Sequence, residues 1–192
     1  TLIDVEQRTA KSTRPMTQNR GVAASVLLAN GDVLVTGGAS TASAEIYHPD
    51  GGFTAVPMIA PRASHSATRL ANGDVLIAGG EPCDSSGSTT EIFDHTTGTF
   101  VAGPTMAARV RHNAVLLKDG RVLLIGGYQC NGAGVATAVI YDPGSNAMVT
   151  NLPDMYNARD ASSAVLLPDG RALVVGGEEN TAAAIPGVEA YV

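Results

Sequence analysis

Lysine is almost missing from this chain of 192 residues: Lys11 and Lys118 stand against ten arginines. Basic residues together number 12 against 18 acidic ones, a net charge of −6. A protein that grips nucleic-acid backbones needs a basic face, so that class of partner is excluded. Two cysteines are too few for a disulfide framework. Apolar runs such as 122–125 and 172–175 fall far short of the ~20 residues a membrane helix needs, so no membrane partner is expected. The N-terminus, Thr1-Leu2-Ile3-Asp4, lacks the basic-then-apolar layout of a secretory signal. Charged residues are only 16% of the chain, but 44% is apolar, which excludes a disordered tail. The arginine bias is compatible with a secreted or periplasmic protein and does not fix a location.

Glycine, by contrast, is abundant, and it is spaced. Diglycines stand at Gly37-Gly38, Gly79-Gly80, Gly126-Gly127 and Gly176-Gly177. An arginine lies 17 residues before each pair: Arg20, Arg62, Arg109 and Arg159. A turn glycine lies 6 residues before each pair, at Gly31, Gly73, Gly120 and Gly170, and Asn30, Asn72, Asp119 and Asp169 precede those. Leucines stand three residues to either side of every turn glycine: Leu28 and Leu34, Leu70 and Leu76, Leu117 and Leu123, Leu167 and Leu173. Several fixed offsets kept in four copies define a tandem repeat.

Asn-Gly or Asp-Gly between apolar runs predicts a two-residue type I′ hairpin turn, with positive φ at both central residues. Residues 26–28 then pair with 33–35, and 115–117 with 122–124. After each diglycine a loop of variable length leads to a third strand at 45–47, 91–93, 139–141 and 189–191. Turn-rich gaps then lead to fourth strands at 53–56, 99–102 and 147–150, and Met58, Met106 and Met155 close the copies, with Met16 matching them. No helical period is present. A four-stranded antiparallel unit of ~40–50 residues in tandem predicts an all-β propeller.

The pattern resembles kelch repeats, most closely at Arg109-Val110-Arg111-His112 followed by Leu117-Lys118-Asp119-Gly120-Arg121-Val122-Leu123-Leu124-Ile125-Gly126-Gly127. The likeness covers essentially the whole chain. It departs where Phe53, Phe100 and Met148 replace the family's fourth-strand tryptophan, and where Ala23 and Ser162 replace its histidine. The resemblance implies one propeller domain over residues 1–192. Its repeats are 17–58, 59–106 and 107–155, with a partial repeat at 156–192. Residues 1–16 read as outer strands that complete the terminal blade, although 188–192 also reads as a third strand. Kelch-like rings usually have six or more blades, so four leave two open faces. The expected remedy is a homodimer closing an eight-bladed ring; a splayed four-bladed ring or a piece of a larger ring are the alternatives.

The candidate binding residues are Arg20, Arg62, Arg109, Arg159, His65 and His112. The arginines could form an anion collar at the channel mouth, as in kelch domains that bind acidic peptides. They could equally tie to Glu45, Glu91 and Glu189 or to backbone carbonyls, and repetition in every copy suits the structural role. His65 and His112 could ligate a metal, but no third ligand keeps their spacing, so hydrogen-bonded structural imidazoles are expected. His48 and His95 lie in turns. Cys83 and Cys130 hold matching loop positions and are expected to be free thiols.

The repeat also resembles the propeller of galactose-oxidase-like enzymes, which implies, as a second reading, a subdomain of a secreted copper oxidase or a glycan-binding protein. No Gly-x-Ser-x-Gly elbow or phosphate loop is present. The expectation is a non-enzymatic binding or scaffold module without cofactor or metal. Its partner would be an unidentified protein or peptide, met through the loops 81–90, 128–137 and 178–187.

Overall fold

The computed structural model describes residues 1–38, 42–80, 89–129, 132–179 and 187–191. The protein is all-β, with no helix among the described residues. Strands β1 (Leu2–Asp4) and β2 (Thr9–Lys11) form a hairpin. Strands β3 (Ala24–Leu27), β4 (Val33–Thr36), β5 (Ser43–Tyr47) and β6 (Phe53–Pro57) make the first four-stranded antiparallel sheet. The second contains β7 (Ser66–Arg69), β8 (Val75–Ala78), β9 (Thr90–Asp94) and β10 (Thr99–Ala102). The third contains β11 (Asn113–Leu116), β12 (Val122–Ile125), β13 (Ala138–Asp142) and β14 (Ala147–Val149). The fourth has three strands: β15 (Ser163–Leu166), β16 (Ala172–Val175) and β17 (Val188–Tyr191). Strands follow chain order in every sheet, so each repeat is a simple meander.

The first hairpins form where expected, with Val26 opposite Leu34 and Val115 opposite Leu123. Their turn is a different one. In the first repeat Leu28 N donates to Asp32 O (2.8 Å) and Gly31 N donates to Leu28 O (3.2 Å), and the other three repeats close in the same way. Three residues lie between the closing pair, and only the glycine is left-handed, at φ of +91°, +99°, +87° and +98°. This is a type I turn followed by a bulged glycine, the commonest three-residue hairpin loop, and not type I′. The Asn or Asp side chain serves the turn instead: its Oδ1 accepts the amide two residues on in each repeat.

The third strand of the fourth sheet is β17, paired with β16 along its length. The N-terminal hairpin takes no place in that sheet and pairs only with itself. Its turn nevertheless has the shape of a third-to-fourth-strand connection. Left-handed Arg8 (φ +52°) matches Gly98 (+70°) and Asn146 (+48°), and Gln7 N donates to Asp4 Oδ1 as Thr97 N does to Asp94 Oδ1.

Each sheet is apolar on both faces, and the core lies between sheets. Leu34, Ala44 and Val56 of the first pack on Val75, Ile77 and Phe93 of the second. Leu76 and Ile92 of the second pack on Val122, Leu124 and Tyr141 of the third. Leu123, Ala138 and Ile140 of the third pack on Ala172 and Val174 of the fourth. Burial on both faces explains the unbroken apolar runs Val75–Ala78 and Val122–Ile125, which an alternating strand would not have. Phe100 and Met148, at the tryptophan position, join these clusters as half-buried residues. First strands run beside one another, β3 by β7, β7 by β11 and β11 by β15, while β15 does not pack on β3 in this way.

Candidate functional site

All four arginines point inward. Residues Arg62, Arg109 and Arg159 are buried, and the Arg20 side chain is only 1% exposed. In each repeat one terminal nitrogen donates to the carbonyl of the first glycine of the pair, as Arg62 does to Gly79 O (2.7 Å) and Arg159 to Gly176 O (2.8 Å). The same nitrogen also donates to a carbonyl at the start of the third strand, that of Ser43, Thr89, Thr137 or Gly187. Three guanidiniums add the expected carboxylate: Arg20–Glu45 at 3.0 Å, Arg62–Glu91 at 2.9 Å and Arg159–Glu189 at 2.8 Å. Burial would raise the pKa of Glu45 and Glu189, but the Thr17 amide and Arg20, and Arg159 with the Tyr156 and Asn157 amides, outweigh it and lower both. With their donors spent on the repeat's own backbone and carboxylate, these arginines do not form a surface collar for anions.

Arg109 is the exception. Val139 holds the position of Glu45, Glu91 and Glu189. Arg109 Nε is buried without a partner, and burial pulls the guanidinium pKa down to about 10. A buried charge without its counter-ion is costly. Val139→Glu is therefore expected to raise stability, with about 1.5–3 kcal/mol from a charged hydrogen bond set against the lost valine packing. A urea titration checks it; a lower midpoint would contradict it.

The diglycines join one repeat to the next. The second glycine's amide donates to the carbonyl of the following repeat's arginine: Gly38 to Arg62 (2.7 Å), Gly80 to Arg109 (3.0 Å) and Gly127 to Arg159 (2.7 Å). The residue two after that arginine donates back to its counterpart one repeat earlier: Ser64 to Val22 (3.1 Å), Arg111 to Ser64 (3.0 Å) and Ala161 to Arg111 (3.3 Å). Ser64, Arg111 and Ala161 adopt left-handed φ of +55°, +52° and +49°, a strain of ~1–2 kcal/mol each that the joint must offset. Only glycine fits at the first position of the first three pairs. A Cβ on Gly37 or Gly79 would strike the Arg62 or Arg109 carbonyl, and one on Gly126 would lie 2.6 Å from Arg159 O.

His65 and His112 fill the same joints. His65 Nε2 lies 2.8 Å from Thr36 Oγ1 of the preceding sheet, and His112 Nε2 lies 2.8 Å from Ser66 Oγ. Each binds a different hydroxyl, and both Nδ1 atoms are buried without a partner. At the last joint Ser162 takes the position and accepts from Asn113 Nδ2 (2.7 Å). Burial, reinforced by Arg62, pushes the His65 pKa down to about 4. Burial, with Arg109 and His65, pushes that of His112 down to about 3. Both imidazoles fold neutral, whereas the unfolded chain takes up protons near pH 6.5. Stability is therefore fully present above about pH 6.5 and is lost as pH falls toward about 4. Melting followed by circular dichroism should show a falling Tm across that window; a flat profile would contradict neutral burial.

Among the described residues one group has metal-ligand geometry, Asp74, Asp94 and His95, with ligand atoms within 4.8 Å. Its members are engaged in closing turns. His95 Nδ1 pairs with Asp74 Oδ1 at 2.8 Å, and Asp94 Oδ1 accepts the Thr96 and Thr97 amides. His48 pairs with Asp32 in the same way. Cys83 and Cys130 lie outside the described residues, as does most of 81–90 and 178–187. The diglycines that precede them in sequence carry the joints. There Arg111 bridges to Asp160 (3.0 Å) and stacks over the Tyr128 ring (5.3 Å). No family model matches the chain, and no curated protein matches it.

Proposed function

We propose that the chain is a kelch-type β-propeller module that binds or scaffolds without catalysing a reaction. Its sheets are the blades, β3, β7, β11 and β15 are the innermost strands, and four blades are half of an eight-bladed ring. Partner recognition, of an unidentified protein or peptide, falls to the variable loops 81–90, 128–137 and 178–187. One observation carries this reading: the repeated arginines and histidines that could have lined a site are buried in ties within and between sheets. That leaves the unrepeated loops, on a rigid frame, as the surface free to vary. Metal analysis after incubation with a copper salt tests it against the oxidase reading. No stoichiometric copper is expected; one tightly held copper per chain would overturn the non-enzymatic reading.

A further inference from the structure

The third repeat breaks a rule that the other three keep. In those, the arginine Nε donates to a carboxylate: Arg20 to Glu45 (3.1 Å), Arg62 to Glu91 (2.9 Å) and Arg159 to Glu189 (3.0 Å). Arg109 makes the rest of that tie, to Gly126 O (3.2 Å), Thr137 O (2.9 Å) and Thr137 Oγ1 (2.9 Å). Its Nε is buried without a partner, and the residue is 1% exposed. The third sheet has a packed neighbour on each side, so this gap does not arise at an end of the chain.

What the repeat lacks is negative charge. Arginine keeps its proton at neutral pH even when buried, so Arg109 carries a full positive charge. Burial is the sole cause of its lowered pKa, with no carboxylate close enough to oppose it. The nearby Arg111 is already paired with Asp160 (3.0 Å), and His112 folds neutral. Val139 ends at its methyl groups and offers no acceptor. A backbone donor is unused as well. Ala60 and Asn157, each two residues before the arginine, give their amides to the glutamate (3.1 and 3.2 Å). Ala107 stands two residues before Arg109, and its amide has no hydrogen-bond partner among the described residues. Two donors of the kind that elsewhere share a carboxylate are therefore left over.

We propose that Arg109 binds a small monovalent anion, chloride in ordinary saline solution, in place of the missing glutamate. The ion accepts from Arg109 Nε and from the Ala107 amide. One uncompensated charge, in a place that holds a single carboxylate in the other repeats, selects a halide or formate over a bulky organic acid. A water molecule could accept from Nε but would leave the charge uncancelled. The folded chain alone brings these donors together, so the ion stabilises it by mass action. Val139→Glu supplies the acceptor from within the chain and ends the dependence on dissolved anion.

Thermal melts of the wild-type chain and of Val139→Glu, in sodium chloride and in sodium gluconate at equal ionic strength, test the proposal. Gluconate is too bulky for a place of one carboxylate, and general salt effects are common to both chains. Replacing gluconate by chloride is expected to raise the wild-type Tm relative to that of the variant, by a margin that widens with concentration. Two chains that respond alike would overturn it. A second measurement needs no variant: bromide soaked into wild-type crystals and located by its anomalous scattering. A peak within hydrogen-bond reach of Arg109 Nε is expected. Peaks confined to half-exposed arginines such as Arg121 and Arg171 would show an adventitious ion only and would overturn the proposal.

Discussion

Arg62→Ala should lower the unfolding free energy by about 3–5 kcal/mol, the cost of stranding one member of a buried ion pair. For a chain of this size that is on the order of 10 °C in Tm. Arg62 is 2% exposed and Glu91 1%. The substitution removes the 2.9 Å contact to Glu91 and the charged donor that reaches Gly79 O (2.7 Å) and Thr89 O (3.0 Å). Glu91 would keep only the Ile59 and Ala60 amides to hold its charge. Arg62→Lys should recover part of the loss, because it restores a charge but not the planar fork that reaches the carboxylate and both carbonyls together. Denaturant melts of the two variants check this. A loss below about 1 kcal/mol for alanine would mean the guanidinium is a surface group, and the anion-collar reading would return.

Much of this arrangement was legible in the sequence. The repeat, its strands and the arginine–glutamate tie could be read because each is local or recurs at a fixed offset. Even the irregular third repeat announces itself as a valine in a glutamate column. The turn type was not legible, because Asn-Gly suits two loop geometries and the number of residues between closing hydrogen bonds decides which one forms. The joint was hidden for a different reason. Gly38 meets Arg62, and Ser64 meets Val22, only after two whole sheets have packed, and both bonds use backbone atoms that no side-chain pattern records. The diglycine pointed to close approach but not to what approaches. The left-handed Ser64, Arg111 and Ala161 carry no signal in their residue types, since only their place in the joint demands that backbone.

The histidines show how context decides a role. His65 and His112 share a column and a partner chemistry, but Ser162 and Ala23 stand in that column elsewhere. The column therefore does not require an imidazole. It requires a group that fits against the preceding sheet, as His65 meets Thr36 and Ser162 meets Asn113.

The claim on which the rest stands is that the diglycine fits against the next repeat's arginine carbonyl and so holds the sheets in one stack. Gly79 and Gly176 test it directly, because both sit at φ +65° and differ only in what lies beyond them. A Cβ at Gly79 would strike the Arg109 carbonyl and lie 2.9 Å from His112 Cε1; at Gly176 it would meet nothing. The left-handed backbone penalty of ~1–2 kcal/mol is common to both alanine variants and cancels in the comparison. The measurement is the unfolding free energy of Gly79→Ala and Gly176→Ala side by side, at a dilution that keeps chains apart. Gly79→Ala is expected to lose about 1–3 kcal/mol more than Gly176→Ala, the cost of forcing an atom into a filled joint. Equal losses at the two positions would contradict it.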